Sequence, residues 1–367
     1  MKEEHHAGDR SSSAAWRGAI SRFDEAWQRL EARLCATVLV AEIASLTLWI
    51  SLKGLSSDFV SGGNAGGLVY RCVATAALLG ACAHGLTRKR PANVNRLAVA
   101  AAMAIGLVLG RLWVHAGVGW SSNVLNWLQN ASSLMLVGGL RGLATRLTLW
   151  LALLGASLAT SRGKHIRVDV LVHYLPPRVQ AATTVAGWLA AAAVCVLAVV
   201  GFVDYISIAE YRVSASAPCP DDAGKSCDTS AAEKAAELRR MMSADLFLLG
   251  RQLSLDAKSL PKVLAGDPYD KWMTAAEWND WLDSADWSAH FDPSAVNALR
   301  MDSSTPGAFR MPQVTVPGTG EEARGLLIRE LNFVFPVGLA VIAVKLILQA
   351  LLFRFAERAE PDVEVAM

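Results

Sequence analysis

The sequence predicts an all-α integral membrane protein with about six transmembrane helices, interfacial helices and a small helical extracytoplasmic domain. Three observations lead there. Hydrophobic residues make up 53% of the 367 residues and charged residues only 19%, an unusual balance for a soluble chain of this length. The apolar residues fall in six blocks, 34–52, 68–86, 97–117, 134–160, 181–203 and 326–353, each close to the roughly 20 residues that cross about 30 Å of hydrocarbon. The short connectors alternate, with 87–96 and 161–180 basic and 56–68 and 118–133 free of Lys and Arg.

The chain opens with a polar, amphipathic stretch that lacks the short apolar core and cleavage site of a secretory signal peptide. Within it, "SRFDEAWQRLEARL" places Ser21 as an N-cap with Asp24 three residues on. Phe23, Trp27, Leu30 and Leu34 recur at helical spacing, opposite Arg22, Glu25, Arg29 and Arg33. Such a helix lies at a membrane surface and feeds the first span. The second block is the weakest, trimmed by Arg71 and His84, and the fourth is too long for one span. Gly138 and Gly139, followed by Arg141 and Arg146, suggest an interfacial helix before a span at about 143–160. A second flanking helix is expected in "WSSNVLNWLQNASS", through Val124, Leu125, Trp127 and Leu128.

Basic residues stay on the cytoplasmic side of short loops. Lys2, Arg10, Arg17, Arg22, Arg29 and Arg33 precede the first span; Arg88, Lys89, Arg90 and Arg96 join the second to the third; Arg162, Lys164, Arg167 and Arg178 join the fourth to the fifth. Both termini are therefore expected inside. The expected division is a cytoplasmic segment 1–33, a five-span membrane domain 34–205, an outer, mostly helical insert 206–326, a last span 327–354 and a cytoplasmic tail 355–367.

The insert carries 18 Asp+Glu against 12 Lys+Arg, a net of −6; with +2 for the whole chain, the remainder carries +8. It shows no strand alternation. "SAAEKAAELRRMMSADLFLLGRQL" is rich in helix formers, and Thr274 with Glu277 reads as a capping box. Trp272, Trp278, Trp281 and Trp287 read as the core of a small helical domain or a partner surface rather than a ligand cage. Cys219 and Cys227, in "APCPDDAGKSCDTS", read as a local disulfide in an oxidising compartment. The remaining Cys35, Cys72, Cys82 and Cys195 fall in spans, where they behave as small apolar residues.

Chemistry-bearing patterns are sparse. No Walker-type loop, nucleophile elbow or CxxC pair occurs. His165 and Asp169 share a helix face at i,i+4, with His173 two turns beyond His165, but Arg162, Lys164 and Arg167 repel a cation and no Glu or Cys completes a ligand set. Neither a catalytic nor a metal site is assigned, and no cofactor or nucleic-acid partner is expected. Glu42 and Lys345 lie inside the first and last spans, where ionisable groups mark function or pairing; whether they pair with each other stays open.

"LWLALLGASLATSRGKHIRVDVLVHYLPPRVQ" resembles the DctQ-type small permease subunit of TRAP (tripartite ATP-independent periplasmic) transporters. The shared pattern is Trp150, Gly155 and Ala156 in a span, then the turn of Arg162, Gly163, His165, Ile166, Val168 and Asp169, then Leu175 and Pro176. The amphipathic lead, the first, fifth and last spans and Pro336 are also similar. Residues 67–117 and the long connector before the last span depart from the usual four-span pattern.

The resemblance implies a non-catalytic scaffold in a bacterial inner membrane. It would pack beside a large permease that drives symport of a dicarboxylate or other organic acid, delivered by a periplasmic binding protein. Trp150, Arg162, Gly163, Lys164, His165, Arg167 and Asp169 would then be a docking element for subunit and membrane lipid, the basic residues pinning a helix end at the anionic leaflet. The rival reading is a membrane sensor or interaction protein whose outer domain binds a ligand.

Overall fold

The computed structural model describes residues 3–56, 66–112, 114–161, 176–213, 216–219, 222–302, 304 and 307–357. Most of these residues are helical; the exceptions are one short hairpin and an irregular stretch over about 299–327 that carries two isolated β-bridges. In order the elements are α1 (Glu3–Ser56), α2 (Gly66–Thr87), α3 (Ala92–Leu112), α4 (Val114–Asn130), α5 (Gly139–Ser161), α6 (Pro177–Tyr205), β1 (Ser216–Cys219), β2 (Asp222–Asp228), α7 (Ala231–Ala265), α8 (Ala275–Asp283), α9 (Pro293–Asn297), α10 (Ile328–Asn332) and α11 (Val334–Glu357). Six stretches are long and apolar enough to cross a membrane: Asp24–Ser56, Gly66–Thr87, Ala92–Leu112, Gly139–Thr160, Val179–Glu210 and Ile328–Phe353. They correspond one for one to the six apolar blocks of the sequence.

Three local expectations change. The helix of the first span does not start at Ser21; α1 runs through it from Glu3, because the Ser/Ala-rich residues before it contain no proline to stop a helix. No separate helix precedes the fourth span. A 3-10 turn, Ser133–Val137, ends at Gly138 (φ 86°), and α5 starts at Gly139 (φ 75°), so two left-handed glycines make the break and Arg141 and Arg146 belong to the span itself. The insert also holds strands: β1 and β2 pair antiparallel, Ala217 opposite Cys227 and Cys219 opposite Asp222. The side chains of Cys219 and Cys227, like Arg162, Gly163, Lys164, His165, Arg167 and Asp169, lie outside what the structure describes.

The chain divides into two compact units. One comprises Met1–Glu42, Thr145–Leu238 and Arg329–Met367; the other comprises Ile43–Ala144 and Arg239–Ile328. The second unit joins residues 67–117 to the larger part of the long connector before the last span. Its membrane part is the α2–α3 hairpin. A Cβ on Gly106 would lie 2.4 Å from Ala76 Cα, and one on Gly110 would lie 2.5 Å from Cys72 Cα, so these two glycines let the backbones touch. Arg71, which weakened the second block, is fully buried with Nη1 3.4 Å from the Leu55 carbonyl.

The remainder of the same unit is built on α7. Helix α4, expected to be a plain flanking helix, runs antiparallel along it. Trp120 Nε1 donates to the Leu264 carbonyl at 3.1 Å, Trp127 Nε1 to Ser259 Oγ at 2.9 Å, and the Ser133 amide to Asp256 Oδ2 at 2.8 Å. Buried Gln252 ties three segments: Nε2 donates to the carbonyls of Ala131 (2.9 Å) and Pro312 (3.0 Å), and Oε1 accepts from the Val314 amide at 2.8 Å. A buried amide with its polar groups engaged fixes one packing rather than merely filling space.

The tryptophans form cores, not a cage. Trp278, Trp281 and Trp287 pack with Leu248, Leu255 and Val314, while Trp272 packs with Trp127 and Val263 in a second cluster. Each indole N–H is used internally: Trp272 to the Asp267 carbonyl (2.9 Å), Trp278 to that of Leu299 (2.8 Å), Trp281 to Ser254 Oγ (2.8 Å) and Trp287 to the Leu282 carbonyl (2.9 Å). Arg251 and Arg310 stack on this core, 4.5 Å above Trp281 and 4.0 Å above Trp278. Burial holds both guanidinium groups below the ordinary arginine value. The capping box of α8 forms as read: the Glu277 amide donates to Thr274 Oγ1 at 3.2 Å, and the Thr274 amide to Glu277 Oε2 at 2.9 Å.

Candidate functional site

In the first unit, residues of α1, α5, α6 and α11 meet through side chains that lie at membrane depth. Residue pairing gives the directions. Glu31 of α1 meets Ser157 of α5, and Glu42 meets Thr148, so these helices run antiparallel. Trp188 meets Phe353 and Phe202 meets Phe335, so α6 and α11 are antiparallel too. Arg146 meets Asn332, and Ser157 meets Lys345, so α5 and α11 run the same way. Four spans of alternating direction follow.

Two polar bands tie these helices, about 20 Å apart along α11 by the helical rise between Asn332 and Lys345. At one end Glu31, 3% exposed, and Lys345, 4% exposed, form an ion pair. Glu31 Oε1 also accepts from Trp27 Nε1 and from Ser157 Oγ, both at 2.8 Å, and Lys345 Nζ lies 3.4 Å from the Ser157 carbonyl. One turn further on, Gln349 Nε2 donates to the Thr160 carbonyl at 2.7 Å. The carboxylate thus receives three donors from three helices, which is what a charge needs to be tolerated away from water.

The second band gathers where the last span begins. Arg146 Nη1 donates to Asn332 Oδ1 at 3.1 Å, and Asn332 Nδ2 to Glu210 Oε1 at 2.8 Å. Tyr211 donates to Glu330 Oε1 at 2.9 Å, with the Arg329 guanidinium 4.5 Å above the tyrosine ring. Trp150, half-buried, donates to the Leu331 carbonyl at 3.4 Å. This band is where the π-helical turn Ile206–Glu210 ends the fifth span.

The open question about Glu42 and Lys345 resolves in favour of other partners. Lys345 binds Glu31, and Glu42 Oε1 accepts from Thr148 Oγ1 at 2.7 Å. Sequence reasoning missed Glu31 because it sits in the charged lead helix, where one more carboxylate passes as solvated. The available signals were Trp27 and Glu31 at i,i+4 and a lysine deep in the last span that needs an anion. Between α1 and α11 a groove of about 290 Å³ is walled by Val337, Val341, Val344 and Leu348, with Trp27 and Asp24 at its edge. Among the described residues no group of three His, Cys, Asp or Glu is placed to hold a metal ion.

Alternating apolar spans tied by buried polar contacts define a multi-pass all-α membrane protein. Residues 136–222 match the family described as the DctQ component of tripartite ATP-independent periplasmic transporters. That segment, about a quarter of the chain, holds α5 and α6 and reaches the start of the β-hairpin, and over it the chain is similar to the small membrane subunit of TRAP transporters. Comparison with curated proteins found no match, nor did comparison with solved structures.

Proposed function

We propose that the chain is a non-catalytic scaffold beside the large permease of a TRAP system, which takes up an organic acid by ion-driven symport after delivery by a periplasmic binding protein. The observation that carries this reading is the DctQ match falling on α5 and α6, two of four spans whose intramembrane polar groups bond to one another across helices. A carrier needs polar groups that face its cargo, commonly at broken helices; here those groups serve cohesion. The buried indoles of the outer domain disfavour the rival sensor reading, since they present no aromatic cage to a ligand.

The same reading places both termini in the cytoplasm of a bacterial inner membrane, the residues around 206–326 in the periplasm, and the turn from Arg162 to Asp169 against the inner leaflet and the large permease. Support comes from the Lys/Arg count of the short connectors and from the alternating directions of α1, α5, α6 and α11. Reporter fusions at Pro91, Gly163 and Glu364 are expected to read cytoplasmic, and those at Gly62 and Asp283 periplasmic. Reconstitution tests the role: the purified chain alone moves no substrate in liposomes, while uptake by the complete system requires it. Arg162→Glu with Arg167→Glu weakens subunit association and anchoring, at about 1 kcal/mol per basic residue near an anionic surface. His165→Ala lowers the amount of complex but not the turnover of each assembled complex. Flux through the chain alone refutes the scaffold reading.

A further inference from the structure

The groove between α1 and α11 opens to the surroundings at membrane depth. Val337, Ala340, Val341, Val344 and Leu348 wall it, with Lys345 beside them. Val337 and Val344 keep 59% and 54% of their surface exposed. The volume of about 290 Å³ matches on the order of ten methylenes, taking each at about the 30 Å³ that a water occupies. A helix is about 10 Å across and could lay only side chains over so slim a channel.

Height fixes the two ends. Helix α1 runs antiparallel to α5, and α5 runs with α11, so α1 and α11 are antiparallel and level with each other where Glu31 meets Lys345. Asp24 stands seven residues before Glu31, about 10 Å by the helical rise. That sets it level with Leu352, at the end of the last apolar block. Val337 stands eight residues from Lys345 on the other side, about 12 Å deeper. From Asp24 to Val337 the groove therefore covers about 22 Å, half of the about 40–45 Å that a bilayer spans with its headgroups. The groove is one leaflet deep.

The mouth carries a charge of its own. Asp24 is half-buried at the edge of the groove, and its Oδ2 accepts from Gln28 Nε2 at 2.7 Å. No lysine or arginine among the described residues pairs with it. Its Oδ1 remains for a donor from outside the chain.

We propose that the groove holds one acyl chain of an ethanolamine phospholipid, whose headgroup ammonium donates to Asp24. Depth, width and charge each select this occupant. One leaflet is the reach of a lipid, and the channel admits a single chain. The carboxylate attracts a primary ammonium and repels an anionic headgroup; a choline headgroup has no N–H to donate. A chain lying there also keeps water from the flank of the Lys345–Glu31 pair, where a dry setting strengthens the attraction.

Native mass spectrometry of the full chain tests this, after release from nanodiscs that mix ethanolamine, choline and glycerol phospholipids of equal acyl length. The parent is expected to keep one ethanolamine lipid per chain, favoured about tenfold over either competitor, the worth of one charge-assisted hydrogen bond. Asp24→Asn is expected to keep a lipid but lose the preference. Ala340→Phe, which fills the groove, is expected to lose the lipid with circular dichroism unchanged, while Leu197→Phe, on the exposed side of α6, keeps it. Should Ala340→Phe fail to fold, Asp24→Asn decides the matter. Equal retention of the three headgroups by the parent overturns the proposal, as does an unchanged preference in Asp24→Asn. Capture of another protein by a photo-crosslinker at Val344 in native membranes, with no lipid retained, overturns it as well.

Discussion

Lys345→Met removes the cation that Glu31 faces and leaves a carboxylate, 3% exposed, with Trp27 and Ser157 as its neutral donors. Removing one partner of a buried ion pair costs about 3–5 kcal/mol, because the remaining charge stays desolvated. Removing both charges with side chains of similar volume is far cheaper and is often close to neutral. The structure therefore gives a signed prediction for a double-mutant cycle. Lys345→Met and Glu31→Gln each destabilise the membrane unit, the lysine change more, since it strands the charge. The combined variant recovers most of the loss, so the coupling between residues 314 positions apart in sequence amounts to about 2–4 kcal/mol. Reversible unfolding in mixed detergent micelles, followed by far-UV circular dichroism, reads the four corners of the cycle. Additive losses within about 0.5 kcal/mol would refute the pairing, as would a Lys345→Met chain as stable as the parent. Glu42→Gln serves as a control outside the cycle: it leaves the coupling unchanged, because Glu42 bonds Thr148 instead.

Gly106→Val should force α2 and α3 apart, since a Cβ there meets Ala76 Cα at 2.4 Å; a loss of about 1–3 kcal/mol is expected for such overpacking, while Gly85→Ala, into open space, should be neutral in the same thermal assay. In the outer domain, burial pushes the Glu277 carboxyl up, but hydrogen bonds and charge from Lys262, with the Thr274 donors, outweigh it and hold it below its ordinary value. A depressed carboxyl contributes stability that is present above its unfolded value and is lost as pH falls through the folded one. The parent should therefore lose stability below about pH 4.5 more steeply than Glu277→Gln, as thermal melts across pH 3–7 would read. Cys219 and Cys227 are expected to join only after export, closing a nine-residue loop for about 2–3 kcal/mol; mass spectrometry of the unreduced outer fragment showing two free thiols would refute this.

Much of the architecture was legible because length and hydropathy alone define a span. The six apolar blocks became six helices, and Thr274 with Glu277 became a capping box. Which face of a span is buried was not legible. In water the apolar face of a helix turns inward, but in lipid Leu30 and Leu34 can stay at the surface, 49% and 45% exposed, while Glu31 between them is buried. The lead helix was thus read with the rule for an interface, and Glu31 was passed over. The same limit explains Glu42 and Lys345: their depth could be counted from the sequence, but partner choice depends on which helices adjoin and at what height. Helix α4 was missed as part of the domain built on α7 because its contacts with that helix, such as Trp127 with Ser259, close over 132 residues, a separation that no local pattern encodes.

Two segments, one around α2 to α4 and one from α7 to α9, compose a single compact unit although α5 and α6 intervene in sequence. Such a unit is indivisible. Excising residues after α6 would strip Trp127, Ala131, Met135 and Leu136 of the groups that bury them, and excising α2 to α4 would leave Gln252, Val263 and Trp272 facing a void. Each half is an orphan without the other, so a shortened chain is viable only when both are cut together, with α1 and α5 rejoined by one linker and α6 and α11 by another.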